Sequence, residues 1–219
     1  MKKETISVNE FMNVLSKHFQ YERQTTLNRM RREKNAFKIL IGCLVSINIK
    51  DEVTEKILTQ LFLRADSFKK ILAMSTKELE DILYFARYRR MKAAILKSVS
   101  KEIIQRFNGN VPSTREELLS IKGIGPKTAN VVLNFAFDER ALPVDSNTLR
   151  IANRIGWIRA EKHDEVEKML VNHLDEIYFK EANALFMLLG KTICVPVSPF
   201  CSRCPVNKIC LKVGVEKSR

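Results

Sequence analysis

Glycine and proline are scarce, with seven and six in 219 residues. Few points therefore exist where a helix must break or the backbone must take a left-handed turn. No stretch sustains an alternation of period two, so strands are few or absent. The longest apolar run, Ile39 to Ile47, is nine residues, against the roughly 20 that a membrane-spanning helix needs. The chain is therefore read as having no membrane span. The N-terminus, MKKETISVNEF, has no apolar segment after its lysines, which argues against a secretory signal and for an intracellular setting. Internal repeats, low-complexity tracts and flexible linkers are also missing. Disorder is excluded by a hydrophobic content of 45%, enough for one large domain or two small ones around a core.

Charge of one sign is present in excess. Lys and Arg number 38 against 25 Asp and Glu, a formal net charge of +13. Such an excess favours a polyanionic partner, of which nucleic acid is the commonest. The basic residues concentrate in two runs. Arg29, Arg31, Arg32 and Lys34 precede an apolar segment that begins at Phe37. Arg87, Arg89, Arg90 and Lys92 sit between helical segments and enclose Tyr88. A charge run by itself is usually a solvated face. An aromatic among arginines can stack on a base while its neighbours hold phosphates.

Helix signals recur along the chain. Ser7 with Glu10, Ser75 with Glu78, and Ser113 with Glu116 are three possible capping boxes. Apolar residues follow at helical spacing, as in Phe11, Leu15 and Phe19, or Leu79, Ile82 and Leu83. A long amphipathic helix is expected over Met91 to Phe107, stopped by Asn108-Gly109. About ten helices fit the length, an all-α protein.

Four of the five cysteines lie within seventeen residues as C-x6-C-x2-C-x5-C: Cys194, Cys201, Cys204 and Cys210. In a reducing compartment this density points to metal binding before disulfides. Zinc and a [4Fe–4S] cluster both accept four thiolates, although common zinc modules pair two C-x2-C units and only one is present. Pro196, Pro199 and Pro205 keep the segment out of regular helix. Cys43, in the apolar run, reads as a core thiol.

A second signal is Ile121-Lys122-Gly123-Ile124-Gly125-Pro126-Lys127. One helix ends near Ser120, the chain turns through two glycines, and another helix starts at Pro126, a residue suited to the first helical position. Amides around Gly123 and Gly125 can face an anion there, and a DNA phosphate is the natural one for a basic protein. Lys127 falls in the first turn of the second helix. Eighteen residues later comes Asp145, in Val144-Asp145-Ser146-Asn147, at a position where it can cap a helix.

The hairpin, the lysine, the aspartate and the four-cysteine loop, in that order, resemble the endonuclease III family of helix-hairpin-helix DNA glycosylases. The likeness runs from roughly residue 37 to residue 210. It implies an all-α, two-lobed fold with a C-terminal [4Fe–4S] loop. One lobe would be a helical barrel over residues 30–138, and the other would join 1–29 to 139–219, with the active cleft between them. The resemblance gives Cys194, Cys201, Cys204 and Cys210 as cluster ligands, Lys127 as the amine that attacks the sugar, and Asp145 as the carboxylate that steadies positive charge on it. It assigns Lys122, Gly123 and Gly125 to the DNA backbone; Arg203, Lys208 and Lys212 are further candidates around the cluster. The partner implied is double-stranded DNA with a damaged or mismatched base, met by a monomer in an intracellular, DNA-associated setting.

The likeness is incomplete in three places. The proline of the family's hairpin is Lys122 here. The family's gap-filling glutamine is Asn48, shorter by one methylene, and Tyr88 stands at the second wedge. Asn147 replaces a histidine common in the family. Removal of an oxidised pyrimidine with strand nicking by β-elimination is the expectation. A mismatch-specific thymine or uracil glycosylase, or a catalytically silent iron–sulfur DNA-binding or redox-sensing protein, are the alternatives.

Overall fold

The computed structural model describes residues 5–19 and 26–219; residues 1–4, whose two lysines enter the reading of the N-terminus, lie outside. Among the described residues no strand occurs. The helices are α1 (Val8–Phe19), α2 (Thr26–Met30), α3 (Ala36–Ser46), α4 (Asp51–Arg64), α5 (Phe68–Ala73), α6 (Thr76–Ile82), α7 (Arg89–Phe107), α8 (Arg115–Leu119), α9 (Pro126–Phe137), α10 (Ser146–Ile155), α11 (His163–His173), α12 (Glu176–Phe179) and α13 (Ala182–Thr192), with short 3-10 turns at Arg31–Glu33 and Cys201–Arg203. These outnumber the ten or so that the length suggests. The surplus comes from α2, α5, α8 and α12, which are four to six residues long. Pieces that short complete barely one apolar repeat, so periodicity cannot register them.

The chain forms two compact units, Gln24–Ala141 and Met1–Arg23 with Leu142–Arg219. The core of the first is built around α3. Seven consecutive residues of that helix, 39–45, are buried, so it is apolar all round and sits centrally. It packs against α9 and α4. In the second unit, Phe11 of α1 meets Trp157 edge-on at 4.9 Å and Phe186 of α13 at 5.5 Å. The Trp157 indole N–H donates to the Ile6 carbonyl at 2.7 Å. This cluster ties the N-terminal helix to the C-terminal part of the chain. Truncating fully buried Phe11 to alanine would cost about 3–5 kcal/mol.

Local caps set several helix starts. Ser75 and Glu78 form the expected capping box, and Ser7 and Glu10 exchange the same pair of bonds, at 3.1 and 3.2 Å. The third box is one residue later than expected: Thr114, not Ser113, accepts from the Glu117 amide at 3.3 Å. Asn108 (φ 52°) and Gly109 (φ 83°) stop α7 in the left-handed region, where the sequence puts its end.

Candidate active site and cysteine loop

The hairpin lies in the first unit, between α8 and α9. Its apolar residues Ile121 and Ile124 are buried, while Lys122, Gly123, Gly125, Pro126 and Lys127 are exposed. The turn closes through Ile124 N donating to the Ile121 carbonyl at 3.1 Å. Gly123 has φ 104°, and a Cβ there would sit 3.2 Å from Ile95 Cγ2 on α7. The positive φ calls for glycine and the close approach favours it; the hairpin's polar edge faces outward while its apolar edge rests on α7. Pro126 and Lys127 open α9, with Gly125 as N-cap. Burial pushes the Cys43 thiol up to about 12, and the charge of Lys127 pulls the other way. Lys127 itself sits at the positive end of its own helix.

Asp145 caps α10 in the second unit. Its Oδ1 accepts from the amides of Asn147 at 2.9 Å and Thr148 at 3.1 Å. The two bonds hold the carboxylate at a half-buried position at the start of the helix. Asn147 Oδ1 accepts from Arg150 Nη2 at 2.9 Å, and a Cβ on Gly190 of α13 would stand 2.6 Å from Asn147 Cβ. Only glycine at 190 lets α13 come this close to the segment that carries Asp145.

Among the described residues, five exposed non-glycine residues of the first unit stand in the left-handed region, Lys34, Asn48, Tyr88, Asn108 and Asp138; Asn48 (φ 59°) follows α3 directly and Tyr88 (φ 61°) is the N-cap of α7. Asparagine tolerates this conformation; for tyrosine it is uncommon and costs on the order of 1–3 kcal/mol. Lys92 joins the two positions, and here the structure corrects the sequence analysis, which groups it with the basic run between helices. It lies in the first turn of α7 and is buried, at 5% exposure. Its ammonium donates to the carbonyls of Leu44 at 3.3 Å, Val45 at 3.0 Å and Ile47 at 2.8 Å, capping the C-terminal end of α3. Its amide donates to the Tyr88 carbonyl at 3.0 Å.

The four clustered cysteines are free thiols. All four line one cavity of about 30 Å³, together with Arg154, Asn207, Lys212 and apolar residues. This exceeds the 10–15 Å³ that one water occupies. Among the described residues no group of three or more His, Cys, Asp or Glu is disposed to hold one metal ion. The four thiols line the same space. Zinc would need all four sulfurs about 2.3 Å from one atom, whereas a [4Fe–4S] cluster presents a separate iron to each cysteine. Asn207 Oδ1 is buried without a hydrogen-bond partner. Its amide, turned about, could donate to sulfur in that space. Burial raises the Cys204 thiol to about 11, and its three neighbouring cysteines push the same way. The donor set fits a four-iron cluster.

The loop is anchored to α10 by two arginines that sequence reasoning does not single out as anchors. Arg154 donates to the carbonyls of Val195 at 2.7 Å and Pro196 at 2.6 Å and lies 3.4 Å from Cys194 Sγ. Arg150 donates to the carbonyls of Cys194 and Gly190, both at 3.0 Å. These bonds span about 40 residues, and no local pattern encodes them. Arg203 and Arg219 cover the Phe200 ring, at 4.4 and 3.9 Å from its centroid.

Residues 41–175 match the HhH-GPD superfamily of base excision DNA repair proteins. The endonuclease III of Thermotoga maritima is 32% identical over 182 residues, 83% of this chain and 85% of that protein. The chain belongs to the endonuclease III family. It is a base-excision-repair DNA glycosylase, and its fold is the all-helical fold of that family. A solved structure of a trapped endonuclease III–DNA covalent intermediate with an estranged adenine superposes with a TM-score of 0.78 at 27% identity, over 92% of each chain. A thermostable thymine-DNA glycosylase superposes with a TM-score of 0.80 at 23% identity, covering 92% of this chain and 94% of that one. At that identity the likeness is one of fold alone.

Proposed function

We propose that this endonuclease III family member is a bifunctional enzyme, a glycosylase that also nicks the strand, and that its substrate is duplex DNA carrying an oxidised pyrimidine. The observation that carries the reading is the exposed Lys127 in the opening turn of α9, directly after a hairpin whose polar edge faces outward. The amine of Lys127 attacks C1′ as the bond from C1′ to the base breaks, and the base leaves with that electron pair. The sugar ring opens with protonation of its oxygen, leaving an imine between Lys127 and C1′. Loss of a proton from C2′ then expels the 3′ phosphate, and water hydrolyses the imine. Positive charge on the sugar peaks as the base departs, and the Asp145 carboxylate offsets it. Lys122 and the amides around Gly123 and Gly125 hold a backbone phosphate.

Asn48 and Tyr88 fill the space left by the extruded nucleotide. Both are exposed, and Lys92 ties together the segments that carry them, the end of α3 and the start of α7, which supports this assignment. Cys194, Cys201, Cys204 and Cys210 hold a [4Fe–4S] cluster. When bound, it supplies four iron–thiolate links that close the loop on itself. Arg150 and Arg154 carry that order to α10, whose first turn is capped by Asp145.

The test is a set of duplexes, each with one lesion, scored separately for base release and strand cleavage. The proposal expects release and cleavage on oxidised pyrimidines. Release confined to mismatched thymine or uracil, with little cleavage, would make the chain a mismatch enzyme, and no release on any duplex would leave it a DNA-binding protein.

A further inference from the structure

Between α6 and α7 the surface carries an arrangement that neither the catalytic pair nor the gap-filling residues require. Within eight positions, and besides the gap-filling Tyr88, three large apolar or aromatic side chains are exposed: Tyr84 at 61%, Phe85 at 75% and Met91 at 56%. Tyr84 and Phe85 meet edge-on, with ring centroids 5.1 Å apart. The Arg89 guanidinium lies 5.1 Å from the Tyr84 centroid, and Arg87 lies 4.9 Å from that of Tyr88. Arg90 reaches Glu80 only at 3.8 Å. Residues 84–93 include three arginines and no acidic residue, and their one lysine, Lys92, is buried and faces inward.

Exposed apolar rings in this number are costly in water unless something covers them. Rings interleaved with guanidinium groups on one short segment are what unstacked nucleic acid requires: flat faces for bases and cations for the backbone between them. A protein partner would be met by apolar surface with few charges, and the concentration of positive charge argues for a polyanion instead. We infer that Tyr84 and Phe85, with Arg87, Arg89 and Arg90, form a stacking surface for unpaired DNA bases, outside the site that receives the damaged base. The inference deepens the functional reading above, since it supposes DNA as the partner. Unpaired bases occur at bulges and beside extruded nucleotides, and the surface gives the enzyme a preference for DNA that is already distorted.

The experiment is equilibrium binding of the full chain to three probes: a dT20 single strand, an intact undamaged duplex, and the same duplex with a central three-nucleotide bulge. Phe85→Ala should weaken binding to the single strand and the bulged duplex by roughly five-fold or more, while the intact duplex changes by less than about two-fold. The dependence on salt should keep its slope, because no phosphate contact is lost. Phe85→Trp should restore the affinity, since a larger ring stacks at least as well. Equal loss on all three probes, no loss on any, or loss with a shallower salt slope would overturn the inference. So would wild-type self-association that Phe85→Ala abolishes, because the patch would then be a contact between copies. None of these readouts depends on Lys127 or on base release, so the enzymatic reading and this surface can fail separately.

Discussion

Asp145 combines two duties in one side chain. Its Oδ1 accepts two amides at the start of α10, and the same carboxylate is proposed to face the sugar cation. Asparagine has the same size and caps helices almost as well, so Asp145→Asn separates the duties. Base release should fall by about 100-fold or more, roughly 3 kcal/mol of transition-state stabilisation. Affinity for lesion DNA and the midpoint of thermal unfolding should stay close to wild type. A loss of affinity in proportion to the loss of rate would mean that Asp145 acts on the bound substrate and not on the transition state. At this scale the sequence is informative about identity. Gly123, Lys127 and Asp145 stand out in the sequence because each sits at a position the backbone marks: a left-handed turn, a first helical turn, an N-cap. The cation between Asn48 and Tyr88 does not. Nothing in Arg87-Tyr88-Arg89-Arg90-Met91-Lys92 distinguishes the one basic side chain that turns inward from the three that precede it.

At the scale of elements, Lys92 joins α7 to the end of α3. Three carbonyls at the negative end of the α3 dipole share one ammonium. Lys92→Met keeps the length of the stem but leaves those carbonyls without a donor, and should lower stability by about 1–3 kcal/mol in urea unfolding at neutral pH. The burial that brings the ammonium to the carbonyls also pushes its pKa below the ordinary 10.5. Between that lowered value and 10.5 the unfolded chain holds this proton while the folded chain has released it. Stability therefore rises with pH across that window, and Lys92→Met should flatten the rise. An unchanged stability at neutral pH would mean that water serves the carbonyls equally well.

The capping boxes show how far element boundaries can be read. Ser75 and Glu78 have no competitor, and the box forms as written. Ser113-Thr114 and Glu116-Glu117 are doublets, so the same spacing fits two registers, and packing chooses the later one. The short helices α2, α5, α8 and α12 escape notice because they are shaped by their neighbours more than by their own periodicity.

At the scale of the molecule, the C-terminal segment has a small cavity lined by the four cysteines but little regular structure. Beyond α13 the chain is loop and one 3-10 turn, joined to α10 by arginine–carbonyl bonds. A cluster would supply the cross-linking that helices supply elsewhere. The purified protein should be yellow-brown and contain about four irons per chain. Removal of the iron by a chelator, or Cys204→Ser, should loosen the second unit and lower the yield of folded protein. A colourless protein with one tightly held zinc would overturn the cluster. The four cysteines stand out in the sequence because they are close along the chain, and the fold brings them to one cavity. The arginine anchors do not, because their partners lie about 40 residues away.

The claim that this glycosylase also cuts the strand rests on the amine of Lys127. The most direct measurement is borohydride trapping on a duplex with a single abasic site, where base removal is already complete. Wild-type protein should yield a covalent protein–DNA complex, and Lys127→Gln should yield none and should not nick the strand, while still binding the duplex. Trapping that persists in Lys127→Gln would assign the chemistry to another amine and contradict the account.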